Sequence, residues 1–196
     1  IVVRLVGSEM CIRDRIKWAS DKGIKKVAIH VITDGRDTPA KSASKYINQI
    51  EACIKKFNTG EIASMCGRYW IMDRNLLWDR TEKAYANLTD PDIKKTNISP
   101  HDYLKKSYAK NITDEFLEPI RMSDNYFKNG DGLICFNFRP DRARQIIKSL
   151  TEKEFSDFHR KFVPDLDLVT FTQYDQNFPV KVAFPPESLN NFIGQI

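Results

Sequence analysis

Cysteine is scarce in this 196-residue chain and badly placed for chemistry: Cys11, Cys53, Cys66 and Cys135 lie far apart and form no Cys-x-x-Cys pair. That spacing offers neither a zinc site nor a disulfide framework, and it points to reduced, mostly buried thiols. Histidine is scarcer still. His101 reads as a surface or capping residue, His159 has no ligand type beside it, and His30 reads as packed or bonded at the edge of a site; no metal site is expected in this chain. No apolar run approaches the roughly 20 residues that span a bilayer, and the N-terminus lacks the long apolar core of a secretory signal. No membrane partner and a cytoplasmic location are therefore expected. Internal repeats and low-complexity segments are also missing.

Charge is plentiful and nearly balanced: 31 Lys and Arg against 26 Asp and Glu leave a net charge of +5. With 41% hydrophobic residues, the composition is that of an ordinary globular chain able to bury one good core. The lysines occur in pairs spread along the chain, at 25–26, 55–56, 94–95 and 105–106, which suits solvated faces better than a basic stripe. The arginines are clustered in motifs instead, and that pattern points to recognition of a small anion rather than of a nucleic acid.

Three junctions carry the pattern. The first is His30-Val31-Ile32-Thr33-Asp34-Gly35-Arg36-Asp37-Thr38-Pro39. Residues 27–32 predict a buried strand, Gly35 a bend, and Thr38 and Pro39 the cap and first position of a helix. Arg36 offers a planar fork for a carboxylate or phosphate, and Asp37 can hold or deprotonate a hydroxyl; the same residues also read as a charged turn with a surface ion pair. Residues Tyr46, Ile50, Cys53, Ile54 and Phe57 then recur at helical spacing, Asn58-Thr59-Gly60 closes that helix, and residues 62–66 form a second strand. Strand, helix, strand is the signature of a parallel crossover.

The second junction is Gly67-Arg68-Tyr69-Trp70-Ile71-Met72-Asp73-Arg74, before a helix reaching about residue 88. Its aromatics could stack on RNA bases, but they read better as packing that fixes the arginines, with Asp73 and Asp79 as their partners. The third is residues 133–138, a strand running into Arg139-Pro140-Asp141-Arg142-Ala143-Arg144, with Pro140 expected in the first turn of a helix whose positive N-terminus helps to hold an anion. Helices are also expected at 101–110 and, less regularly, at 113–119, a further strand at 166–172 and a stiff extended exit through Phe184-Pro185-Pro186. The fold class expected is α/β, with a central, largely parallel or mixed sheet and helices on both faces. In such a sheet ligands bind beyond the carboxyl ends of the strands, and arginines follow three of them.

The N-terminus reads differently. Residues 5–15 show no clear period and resemble the translation of a transposase-based sequencing adapter, ending in Glu9-Met10-Cys11-Ile12-Arg13-Asp14. Residues 1–15 are accordingly expected to be non-native, the natural segment to start near Ile16 in the tail of a helix, and Gly23 to cap that helix.

Taken together, H-V-I-T-D-G-R-D-T-P at 30–39, G-R-Y-W-I-M-D-R-N-L-L-W-D-R at 67–80, F-N-F-R-P-D-R-A-R at 136–144, T-Q-Y-D at 172–175 and V-A-F-P-P at 182–186 resemble the phosphotransferase, or substrate-binding, domain of the cofactor-independent phosphoglycerate mutases. The resemblance runs from about Ile16 to the end. It implies an isomerase of glycolysis that interconverts 2- and 3-phosphoglycerate through a phosphoserine. The domain is inserted into a phosphatase-like domain that carries the serine and two Mn2+ ions. By the same resemblance Arg36, Asp37, Arg68, Arg74, Arg139 and Arg142 are substrate-site residues, Asp37 being the catalytic one.

The departures are as informative. The family's glycine-rich segment with a substrate-contacting histidine, the serine, the metal ligands and a phosphate-contacting lysine cannot be placed here. Residues 16–184 are thus expected to be an N-terminally truncated substrate-binding domain, 185–196 a hinge returning to the missing phosphatase-like domain, and the parent a monomer whose other half this fragment needs. The fragment is expected to be inactive alone and to hold no cofactor of its own. The alternatives are a stand-alone module that binds a phosphorylated metabolite without catalysis, and an RNA-binding protein.

Overall fold

The computed structural model of the chain describes residues 2–4 and 9–186. Among the described residues seven strands, β1 (Val2–Arg4), β2 (Ala28–Thr33), β3 (Glu61–Gly67), β4 (Ile120–Arg121), β5 (Asp131–Cys135), β6 (Leu166–Thr172) and β7 (Lys181–Phe184), form one sheet in the spatial order β4-β3-β2-β1-β5-β6-β7. All neighbours are parallel except β4, which runs antiparallel on the edge beside β3. Helices α1 (Glu9–Asp21), α2 (Ala43–Phe57), α3 (Arg68–Ile71), α4 (Trp78–Thr89), α5 (Pro100–Ala109) and α6 (Arg144–Thr151) connect them.

Both faces are covered because the central strands are apolar on both sides, as parallel strands must be. One core packs Ile32, Cys66, Leu133 and Leu168 against Tyr85 and Leu88 of α4 and Ile147 and Leu150 of α6. The other packs Ile29, Val31 and Met65 against Ile16 of α1, Ile47 and Ile50 of α2 and Leu104 of α5. Alternation along β2, with Val31 on one side and Ile32 on the other, is the strand period of two at work. The expected α/β sheet with helices on both faces is what the chain forms. From β1 the chain builds outward through β2 and β3, then returns to place β5 on the other side of β1.

Several boundaries differ from the sequence expectation. The helix tail expected from Ile16 is the C-terminal part of α1, which starts at Glu9, ends at Asp21 and buries Ile12, Ile16 and Ala19 at helical spacing. Residues 5–8 and most of the expected hinge, 187–196, lie outside the described residues. Nor do Thr38 and Pro39 open α2. The Thr38 hydroxyl accepts a hydrogen bond from the Gly35 N–H, closing the turn, and α2 begins at Ala43. Its first N–H groups are satisfied from far along the chain: those of Ser42 and Ala43 donate to Asp114 Oδ2 at 2.7 and 2.8 Å. A remote carboxylate does here what a local cap usually does. Pro140 likewise precedes its helix. Residues Pro140 to Ala143 close a turn of their own, the Pro140 carbonyl accepting from Ala143 and Arg144, and α6 starts at Arg144. The strand expected at 133–138 is β5, shifted to Asp131–Cys135.

Asp114 opens a single 3₁₀ turn, Asp114–Phe116, that lies across the ends of β2 and β3. The Thr33 hydroxyl donates to the Asp114 carbonyl at 2.6 Å, the Gly67 N–H to the Leu117 carbonyl at 2.7 Å, and the Asp114 N–H to the Ala40 carbonyl at 2.9 Å. The approach is so close that a Cβ on Gly67 would stand 2.3 Å from the Glu115 carbonyl oxygen, and one on Gly35, at φ +65°, 2.7 Å from the Glu115 nitrogen.

Gly67→Ala is therefore expected to lower stability by about 1–3 kcal/mol, the usual range for overpacking, in a urea unfolding experiment. Gly132→Ala, in β5 with open space around it, is the near-neutral control; equal losses in both would contradict the close approach.

Burial raises the pKa of Asp114 above its ordinary value despite the Tyr108 hydroxyl and the two α2 N–H groups it accepts. A group whose folded pKa is raised stabilises most below its unfolded pKa, and that contribution is lost as pH rises through the folded value. The stability advantage of the wild type over Asp114→Asn should therefore shrink as pH is raised from about 4. A difference that stays flat up to about pH 7 would overturn this assignment.

Candidate functional site

The three arginine-bearing junctions converge. β2, β3 and β5 are parallel and lie on the two sides of β1, so the segments after their carboxyl ends share one edge of the sheet. The first junction is organised by Asp34. Its Oδ1 accepts from the Arg36 N–H at 2.9 Å and the Asp37 N–H at 2.8 Å, forming a tight turn, and takes the Arg68 Nη1 donor at 2.9 Å. Arg68, at the start of α3 and only 4% exposed, gives a second hydrogen bond from Nη1 to Asp37 Oδ2 at 2.8 Å. Burial opposes the charge on Arg68, but the bonds to Asp37 and Asp34 outweigh it and hold its pKa above the ordinary value.

The third junction meets the second through Asp141. Its Oδ2 accepts from Arg74 Nη1 at 2.9 Å and from Arg139 Nη2 at 3.1 Å. Desolvation works against the Asp141 charge, yet the Arg74 bond and the field of Arg139 hold its carboxyl below the usual carboxylate range. Arg142 differs from all of these. Its Nη1 donates to the Met72 carbonyl at 3.3 Å, and its pKa is held below the ordinary value by burial first and then by the fields of Arg68, Arg74 and Arg36. Like charges gather round it, an arrangement that favours an anion among them.

Arg36, Arg68, Arg74 and Arg142 line one cavity of about 160 Å3, with Arg80 and Glu115. Of the other residues expected at the site, Asp37 is joined to it through Arg68. Arg139 is 71% exposed and attached at the rim through Asp141. Arg80 and Glu115 were not singled out from the sequence. Arg80 lies over the Tyr69 ring at 3.9 Å and pairs with Asp73 at 3.4 Å; its signal was the repeat of Asp-Arg at 73–74 and 79–80. Glu115 sits in a 3₁₀ turn with no period to announce it, 3.6 Å from Arg36 Nη1.

Packing accounts for the aromatics. Tyr69 meets Trp70 and Phe116, and Trp78 meets Phe155. His30 is packed as expected but belongs elsewhere: bonded to the Ser64 hydroxyl at 2.9 Å and edge-on to Phe127, it lines a larger, mainly apolar cavity of about 480 Å3 at the amino ends of β2 and β5. The small cavity is lined by five arginines, whereas the charged residues of the large one, Arg15, Lys26, Lys128, Asp131 and Asp167, are of both signs and stand among apolar side chains. Among the described residues no group of three or more His, Cys, Asp or Glu is arranged to hold a metal, and no described helix is long and apolar enough to cross a membrane.

Residues 8–176 match the family model described as the BPG-independent PGAM N-terminus. The chain belongs to the 2,3-bisphosphoglycerate-independent phosphoglycerate mutase family. Relatives of that name include one from Prochlorococcus marinus subsp. pastoris, 75% identical over 181 residues covering 92% of this chain and 34% of the relative. Another, from Trichodesmium erythraeum, is 48% identical over 178 residues covering 91% of this chain and 33% of its own length. The chain thus spans about a third of the mutases it matches. A crystal structure of Leishmania mexicana phosphoglycerate mutase superposes on 94% of the chain and 38% of its own, with a TM-score of 0.86 at 24% identity, which shows a shared fold. The mutase family's N-terminal segment is therefore the frame in which the arginine cavity sits.

The buried pair gives a stability test. Removing one partner of a buried ion pair costs about 3–5 kcal/mol, so Asp34→Ala should lower the unfolding free energy by that order. The double variant with Arg68→Met should recover part of the loss. A single-variant loss below about 1 kcal/mol would mean that the pair behaves as a surface one.

Proposed function

We propose that this chain is the substrate-binding part of a phosphoglycerate mutase and holds the phosphoglycerate while its phosphoryl group moves between the 2- and 3-hydroxyls. The observation that carries the reading is the Arg142 guanidinium, bonded to a carbonyl and sharing one cavity with Arg36, Arg68 and Arg74. A ligand with a carboxylate and a phosphate supplies the missing counter-charge, and guanidinium forks match both groups in shape. Arg36, Arg139 and Arg142 clamp the anionic groups, Arg68 and Arg74 orient the same ligand, and Asp37 serves as proton donor and acceptor at the oxygen that loses or gains the phosphoryl group.

Phosphoryl transfer itself needs a nucleophilic serine and two Mn2+ ions from the phosphatase-like part of the longer protein; no step assigned to these residues passes through a metal. In this reading residues 16–184 are the substrate-binding domain, 185–196 lead back to that second part, residues 1–15 are not native, and the parent is a cytoplasmic monomer.

Calorimetric titration of the purified chain with 3-phosphoglycerate tests the reading. Binding is expected, weaker by about tenfold or more in Arg142→Ala, since one charge-assisted hydrogen bond contributes about 1.5–3 kcal/mol. No conversion of 3-phosphoglycerate is expected from the chain alone. Turnover by the chain, or preference for a polynucleotide with affinity falling steeply with salt, would reject it.

A further inference from the structure

A carboxylate in an anion-binding cavity weakens the binding of every anion, so its presence calls for a reason. Glu115 is held there firmly. Its backbone is fixed from both sides by the Thr33 hydroxyl, the Gly67 N–H and the contacts at Gly35 and Gly67 that leave no room for a Cβ. Its side chain is 19% exposed and lines the cavity. Among the described residues its one ion pair is with Arg36, at 3.6 Å, beyond hydrogen-bond distance, and Arg36 itself is 58% exposed.

The neighbouring carboxylates are engaged. Asp34 and Asp37 hold Arg68, Asp141 holds Arg74 and Arg139, and Asp73 accepts from Arg80 and from the N–H groups of Asn75 and Leu77. Glu115 keeps acceptor capacity facing the ligand space. Such a group favours a ligand that places a hydroxyl donor there and rejects one that places a second anion there, because like charges in a partly dry cavity repel and a buried acceptor without a donor is costly.

We propose that Glu115 is a specificity-determining residue of the arginine cavity: it accepts a hydrogen bond from the free hydroxyl of a monophosphorylated hydroxy acid and excludes its bisphosphorylated counterpart. This rests on the reading of the cavity as a phosphoglycerate site.

Titrating the chain and its Glu115→Gln and Glu115→Asp variants with 3-phosphoglycerate, 2,3-bisphosphoglycerate and inorganic phosphate tests it. The wild type should prefer 3-phosphoglycerate. Glu115→Gln should shift the ratio of affinities toward the bisphosphate by about tenfold or more, a change of ~1.4 kcal/mol, and Glu115→Asp should retain the wild-type preference. A uniform change for all three ligands, or an aspartate variant that behaves like the glutamine one, would overturn the proposal while leaving the site reading intact. Failure of the wild type to bind either phosphoglycerate would overturn both.

Discussion

The site depends on one oxygen. Asp34 Oδ1 receives the N–H groups of Arg36 and Asp37 and the Nη1 of Arg68, and this convergence settles three things at once. It shapes the turn after β2, so that Arg36 and Asp37 leave the sheet in fixed directions. It makes the burial of Arg68 tolerable, because an isolated guanidinium taken out of water would be prohibitively costly. It also ties β2 to the start of α3, joining two of the three junctions without any contact from a ligand. Asp141 does the corresponding work on the other side with Arg74 and Arg139. These carboxylates offset Arg68, Arg74 and Arg139, whereas Arg142 lies in the field of three guanidiniums and of one carboxylate, Asp141.

Not every arginine of the chain works this way. Arg121 is buried at the end of α4 and donates to the carbonyls of Ala86, Asn87, Asp90 and Ile93, neutralising the negative end of that helix. Arg160 likewise holds the carbonyls of Ser149 and Glu152 at the C-terminal end of α6. These side chains bond the backbone and leave no fork for a ligand. Arg36, Arg68, Arg74 and Arg80 pair with carboxylates instead, and Arg142, bonded once to the Met72 carbonyl, lies in the field of three other guanidiniums; that difference in partners, rather than arginine content, sets the cavity apart.

Local periodicity carried the sheet: residues 166–172 form β6 and the apolar run after Lys26 forms β2 with a shift of one residue. It also carried the convergence of arginines, because parallel strands bring their carboxyl ends to one edge whatever lies between them. What it could not carry were contacts between distant segments. Thr38 and Pro39 look like a helix start, yet the donor groups of α2 are satisfied by Asp114, more than seventy residues away. Pro140 looks like a first helical residue, yet its carbonyl closes a turn. Glu115 escaped for the same reason, since a charged residue in a short turn has no pattern until its neighbours in space are known, whereas Arg80, in the first turn of α4, had only the Asp-Arg repeat to announce it.

Exposure divides the labour among the cavity arginines. Arg139 and Arg36 lie largely in water, where a unit charge 4 Å from an anion is worth about 1 kcal/mol, against about 4 kcal/mol at an effective dielectric of 20. Arg68 is almost wholly buried, and Arg142 is sufficiently desolvated to feel three other guanidiniums. In the proposed reading the less screened Arg68 and Arg142 therefore contribute more per contact, whereas Arg36 and Arg139 clamp the anion more weakly from the water-exposed side. Any group that covers the mouth and excludes water raises the contribution of Arg36 and Arg139 several-fold without moving them. By the same argument it sharpens the repulsion between Glu115 and a second phosphate. In the proposed reading, tight binding and selectivity are thus coupled through the exclusion of water.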